Sequence, residues 1–109
     1  MAEHLSRGQV WMYAFGGRDK RRPVLVLARQ EVIGLLRTVM VAPITSKIHG
    51  APSEVIIGID EGLKRDSAVN LDHVQTVDKA RLHRYVGTLS AAKMADVCEA
   101  LTIATGCDR

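Results

Sequence analysis

The chain has only two cysteines, Cys98 and Cys107, and they stand in no C-x-x-C spacing. Its four histidines, His4, His49, His73 and His83, are scattered, with no pair at the separation a zinc site uses. Neither a metal nor a cofactor is expected. No apolar run approaches the length of a membrane span. The N-terminal Met1-Ala2-Glu3-His4 shows no charged region followed by an apolar one, so the expectation is no signal peptide and a cytoplasmic location. At 109 residues the length suits one domain over 1–109, with a single core. A composition 47% hydrophobic and 25% charged excludes a disordered chain.

Positive charge is present but local. The net charge is only +3, yet Arg18, Lys20, Arg21 and Arg22 fall within one short stretch, while Asp60, Glu61 and Asp66 make a later segment acidic. Such a patch fits a polyanionic partner, and equally a solvated loop.

The basic stretch runs into Pro23 and then into the apolar run Val24-Leu25-Val26-Leu27-Ala28. Proline suits the first position of a strand and pushes Arg22 toward an extended conformation. A guanidinium held at the mouth of a buried strand is a candidate catalytic or phosphate-binding group.

Residues 7–15 alternate as a first strand, with Val10, Met12 and Ala14 on one face and Trp11, Tyr13 and Phe15 on the other. These aromatic residues suit core packing, or stacking on bases. Gly16-Gly17-Arg18-Asp19 predicts a turn into the Pro23 strand, which ends near Arg29. Residues 30–36 predict a helical turn broken at Gly34. A third strand over 38–42 is expected to end at Pro43.

An antiparallel connection centred near Ile33 and Gly34 puts Arg22 opposite Thr45, and so brings Arg22 and Thr45-Ser46 to one end of the sheet. On spacing alone, Thr45 reads as a turn residue. A fourth strand is expected over 54–59 and a charged excursion over 60–66. The next strand, 68–77, changes phase and so should bulge or bend near Asp72-His73. Asp78 is placed to cap one helical turn, and 85–89 predicts a last strand. Ser90 then caps a helix whose apolar positions are Met94, Val97, Cys98, Leu101 and Ala104, with Gly106 as its stop. On that face Cys98 is expected buried, and Cys107 exposed. About five or six short strands and one C-terminal helix make a small, strongly bent β-barrel or roll with a helix packed on it.

Five segments in order resemble the MazF/PemK family of type II toxin–antitoxin ribonucleases: RGQVW (7–11), RRPVLVL (21–27), APITS (42–46), EGLKRDSAVNLDHVQTVDKARL (61–82) and VGTLSAAKMADVCEAL (86–101). The resemblance implies a mainly β fold with α, an SH3-like barrel carrying a C-terminal helix, and assembly as a homodimer. It implies metal-independent cleavage of single-stranded RNA at short motifs by attack of the substrate's 2′-OH. The arginine before the proline and the threonine of P-x-T are the implied catalytic pair, here Arg22 and Thr45. Arg18, Lys20, Arg21, Ser46, Lys47, His49, His73 and Gln75 are expected to bind RNA or the acidic, disordered tail of a cognate antitoxin. Three features depart from the family pattern. The loop between the first two strands is short, Gln9 replaces an acidic residue, and His73 and Gln75 stand where relatives often carry Gln and a basic residue. The alternative implied by a shared barrel is a CcdB-type toxin that acts by binding a protein such as gyrase.

Overall fold

The computed structural model describes residues 5–16 and 21–107. Among these residues seven strands form, β1 (Gln9–Ala14), β2 (Arg21–Val26), β3 (Thr38–Thr45), β4 (Glu54–Ile57), β5 (Ser67–Asn70), β6 (Gln75–Asp78) and β7 (Leu82–Thr88). A single helical turn, α1 (Gln30–Ile33), links β2 to β3, and a long helix, α2 (Ala91–Thr105), follows β7. All strand pairs are antiparallel, in the order β4-β5-β3-β2-β1-β7, with β6 also on β3. The expected mainly β fold with a C-terminal helix is the one observed.

The sheet is buried on both faces. Side chains alternate across a strand, and here each face meets its own core. Trp11, Tyr13, Val24, Val26, Val41 and Leu82 fill the first. Val10, Leu25, Ala42, Ile44, Val69 and Val97 fill the second, which α2 covers. This is why β2 enters an unbroken apolar run and does not alternate with polar residues. The aromatic residues of β1 are packing residues. Trp11 and Tyr13 are buried, and Trp11 meets Tyr85 edge to face at 6.0 Å.

Three expectations are corrected. First, β3 does not end at Pro43 but runs on to Thr45. Pro43 falls between the last rung to β6, at Val41, and the first rung to β5, at Ile44, so its missing N–H interrupts neither ladder. Second, residues 68–77 do not form one bulged strand. A 3-10 turn at Leu71–His73, capped by the Asn70 side chain on the Asp72 N–H, divides them into β5 and β6. The change of phase marks where the chain leaves one ladder and enters another. Third, Cys98 is exposed. The buried arc of α2 is centred on Val97, with Met94, Ala100, Leu101 and Ala104 around it. Cys98 lies about 100° from Val97 at 3.6 residues per turn, where its Sγ meets the Arg7 guanidinium at 3.3 Å.

The ends of α2 follow expectation. Ser90 Oγ accepts the Lys93 N–H at 3.1 Å, and Gly106 closes the helix at φ 72°. Ser90→Ala should cost about 1 kcal/mol, read as a lower urea midpoint at constant slope; no change in midpoint would show that the cap is not stabilising. Asp78 caps the turn at Lys79–Arg81 by accepting the Ala80 N–H at 2.9 Å.

A second close fit places the segment after β4. Its 3-10 turn at Ile59–Glu61 ends on Gly62, at φ 92°. The turn lies so near β7 that a Cβ on Gly62 would stand 2.2 Å from the Val86 carbonyl oxygen, and one on Gly87 would stand 2.0 Å from that of Glu61. The buried Glu61 carboxylate fixes the same turn by accepting the Gly58 N–H at 2.7 Å.

Candidate active site

The rungs Val26–Val41, Leu25–Ala42 and Val24–Pro43 join β2 to β3, and there the two strands part. β2 stays with β1, Arg22 opposite Tyr13 and Arg21 opposite Ala14. β3 turns to β5, Ile44 opposite Val69 and Thr45 opposite Ala68. Each strand carries a proline at the split, Pro23 and Pro43, and neither can donate a backbone hydrogen bond there. The fork opens a cleft of about 380 Å³ lined by Arg21, Arg22, Pro23, Ile44, Thr45, Ser46, Arg65 and Ser67.

Period-two alternation aims the key side chains into it. Val24 and Val26 point into the first core, so Arg22 continues that face beyond its rim. Val41 points into the same core, so Thr45 also continues it. The register read from sequence is the observed one, and it brings Arg22 and Thr45 to the two arms of the fork.

Thr45 is half-buried. Its Oγ1 accepts the Lys47 N–H at 3.1 Å, which leaves the hydroxyl proton for an outside acceptor. Ser67 is buried and donates to the Arg65 carbonyl at 3.2 Å. Among the described residues lining the cleft there are three guanidinium groups and three hydroxyls, with no carboxylate and no imidazole. The three guanidinium groups and the Thr45 and Ser46 hydroxyls are donors suited to phosphate oxygens, while the Ser67 proton is taken by the Arg65 carbonyl.

The Arg22 side chain is exposed, because the strand becomes buried only from Val24. Of the other expected binding residues, Arg21 and Ser46 line the cleft, while Lys47, His49, His73 and Gln75 do not. The His49 N–H is held by the Glu54 carboxylate in the turn before β4, at 3.1 Å. His73 Nδ1 lies 2.8 Å from the Asn70 side-chain amide. Gln75 opens β6 opposite Val41, well down β3 from Thr45. Arg18 and Lys20 lie outside the described residues.

Arg65 and Ser67 are not legible as site residues, since 60–66 reads as a charged excursion and Ser67 only as the residue that follows it. The signal that finds them is the pairing of Thr45 with Ala68, which places whatever precedes Ala68 beside the end of β3. Among the described residues no group of three His, Cys, Asp or Glu side chains converges as metal ligands, and no helix is long and apolar enough to cross a membrane.

Known proteins resemble the chain over nearly its whole length. Residues 6–105 match the family model described as PemK-like, MazF-like toxin of type II toxin–antitoxin system. A probable endoribonuclease of Mycobacterium tuberculosis, MazF5, is 43% identical over 106 residues, covering 95% of each chain. The solved structure of the toxin MazF-mt6 from the same organism superposes with a TM-score of 0.83 at 35% identity, over 90% of this chain and 96% of that one. An endoribonuclease from a mycobacterial species, solved with its cognate antitoxin, gives a TM-score of 0.83 at 25% identity, over 94% and 95% of the two chains. These likenesses favour the ribonuclease over the gyrase-binding alternative. The chain belongs to the family of PemK-like, MazF-like toxins of type II toxin–antitoxin systems.

Proposed function

We propose that this toxin is an endoribonuclease that cuts single-stranded RNA in the fork between β2 and β3, with Arg22 and Thr45 as its catalytic residues. The observation that carries the reading is the convergence of Arg22 and Thr45 on a cleft of guanidinium and hydroxyl donors. The reaction needs no metal. The substrate's 2′-oxygen forms a bond to the adjacent phosphorus, the bond to the 5′-oxygen breaks, and the proton lost at the first oxygen is balanced by one gained at the second. The products are a 2′,3′-cyclic phosphate and a 5′-OH. Negative charge builds on the phosphate oxygens during attack, and preorganised donors stabilise it. Arg22 fills that role and not proton transfer, since a guanidinium stays protonated in proteins. Thr45 donates its free hydroxyl proton to a phosphate oxygen.

The protein works in the cytoplasm as a homodimer of one toxin domain. An apolar margin at Ile56, Ile59 and Ile103, all exposed on or near the edge strand β4 and on α2, supports self-association. Its antitoxin inhibits it by laying an acidic, disordered tail across the mouth of the fork, against Arg21 and Arg22 on one arm and Arg65 on the other.

Cleavage of a long single-stranded RNA in excess EDTA tests the assignment. Wild type should give discrete cuts ending in cyclic phosphate, and Thr45→Ala should cut at least about tenfold more slowly, the loss of one charge-assisted hydrogen bond. Equal rates would remove Thr45 from the chemistry, and cutting that EDTA abolishes would remove the metal-free mechanism.

A further inference from the structure

Arg65 reaches the cleft by a route of its own. The turn that ends on Gly62 is pinned against β7 by the close approach of Gly62 and Gly87, so the chain must return toward β3 within a few residues. It re-enters the sheet at Ser67, beside the Thr45–Ala68 rung. The buried Ser67 hydroxyl holds the Arg65 carbonyl, which fixes the backbone from which the guanidinium projects.

The strand order places the two arginines on opposite sides of Thr45. Arg22 lies on β2, Thr45 on β3, and Arg65 immediately before β5. Two gaps at ladder spacing would come to roughly 10 Å, and the parting of β2 from β3 sets the two arms at least that far apart. Thr45 and Ser46 sit between them. That separation leaves room for one phosphate at each guanidinium, with the Thr45 and Ser46 hydroxyls between them.

We propose that Arg65 binds the phosphate next to the scissile one, so that the cleft takes two successive phosphates of a single strand and Ser67 positions the second cation. This rests on the reading of the fork as the RNA-cleaving site. The contact is made equally before and during reaction, so it strengthens binding without accelerating the chemical step. Arg22 faces the phosphate on which charge develops, so its contact strengthens further in the transition state.

Two measurements test this on folded protein, with the thermal melt of Arg65→Ala and Arg65→Lys checked first. The first is the split between kcat and KM on an RNA oligonucleotide spanning a mapped cut. Arg65→Ala should raise KM about tenfold or more and hold kcat within about twofold. The second is the salt dependence of binding to a short, mixed-sequence single-stranded DNA, which lacks every 2′-OH and is not cut. Its slope of log affinity against log salt should be shallower by about 0.7 in Arg65→Ala, the value for one lost phosphate contact. Arg65→Lys should keep the wild-type slope, because the charge remains. An unchanged slope in Arg65→Ala would show that Arg65 touches no phosphate. A fall in kcat at constant KM would put it on the scissile phosphate. Either result overturns the proposal. The DNA slope reads Arg65 whether or not the wild type cuts RNA, so failure here is separable from failure of the ribonuclease assignment.

Discussion

Changing Arg22 to Ala should slow RNA cleavage by about 10²–10³-fold, the usual loss when one preorganised donor is removed from a developing charge. The cause is geometric. Arg22 continues the face of β2 that fills the first core, so its Cα is set by Val24 and Val26 even though its guanidinium is exposed. Water screens that charge in the free protein, and an RNA strand lying in the fork would displace the water. The gain is therefore concentrated in the bound state. Because Arg22 buries little, the thermal midpoint should stay within a few degrees of wild type. Arg22→Lys keeps a positive charge but loses the planar fork of donors, so it should recover only part of the rate. Combining Arg22→Ala with Thr45→Ala should cost less than the product of the two single effects, because both groups serve one phosphate. Full activity in Arg22→Ala with an intact melt would refute the site.

The second large effect concerns stability. Gly87→Ala should destabilise the protein by about 3 kcal/mol, the upper range for forcing atoms into a packed site. The new methyl would stand 2.0 Å from the Glu61 carbonyl oxygen, a backbone atom that cannot rotate away. At the sensitivity of a domain of this size, the midpoint should fall by roughly 10 °C or more. Gly62→Ala should be as damaging, for the added reason that φ 92° disfavours any side chain. The damage would reach function, since the Gly62–Gly87 fit is what returns Arg65 to the cleft. A melt of Gly87→Ala within a couple of degrees of wild type would show that the turn yields easily, and the argument for a fixed Arg65 would go with it.

Most local features were readable because each has a local cause. The Ser90 cap, the Gly106 stop, the Asp78 turn and the register of β2 on β3 all depend on residues close in sequence, and each stands where the sequence places it. Pro43 misled because a proline ends a strand only when its N–H is needed, and the gap between the β5 and β6 ladders is invisible in sequence. Cys98 misled because the apolar stripe of α2 is wider than its buried arc. Arg65 was missed for a different reason. Its place depends on the pairing of β3 with β5, a contact between strands that are not neighbours in the chain. His73 and Gln75 drew attention by their type, but their strand and turn assignments carry them to other parts of the sheet.

The split between β2 and β3 has a mechanical consequence. A site built between two lobes can open and close on a hinge, and its reacting groups approach as the lobes move. Here the two arms are branches of one sheet, joined at the Val24–Pro43 rung and each held by its own ladder, β2 on β1 and β3 on β5, so the opening cannot widen without bending those ladders or breaking that rung. Substrate selection must then be made by what enters a mouth of fixed width: a flexible single strand can thread between the arms, whereas a paired duplex would have to prise the sheet apart.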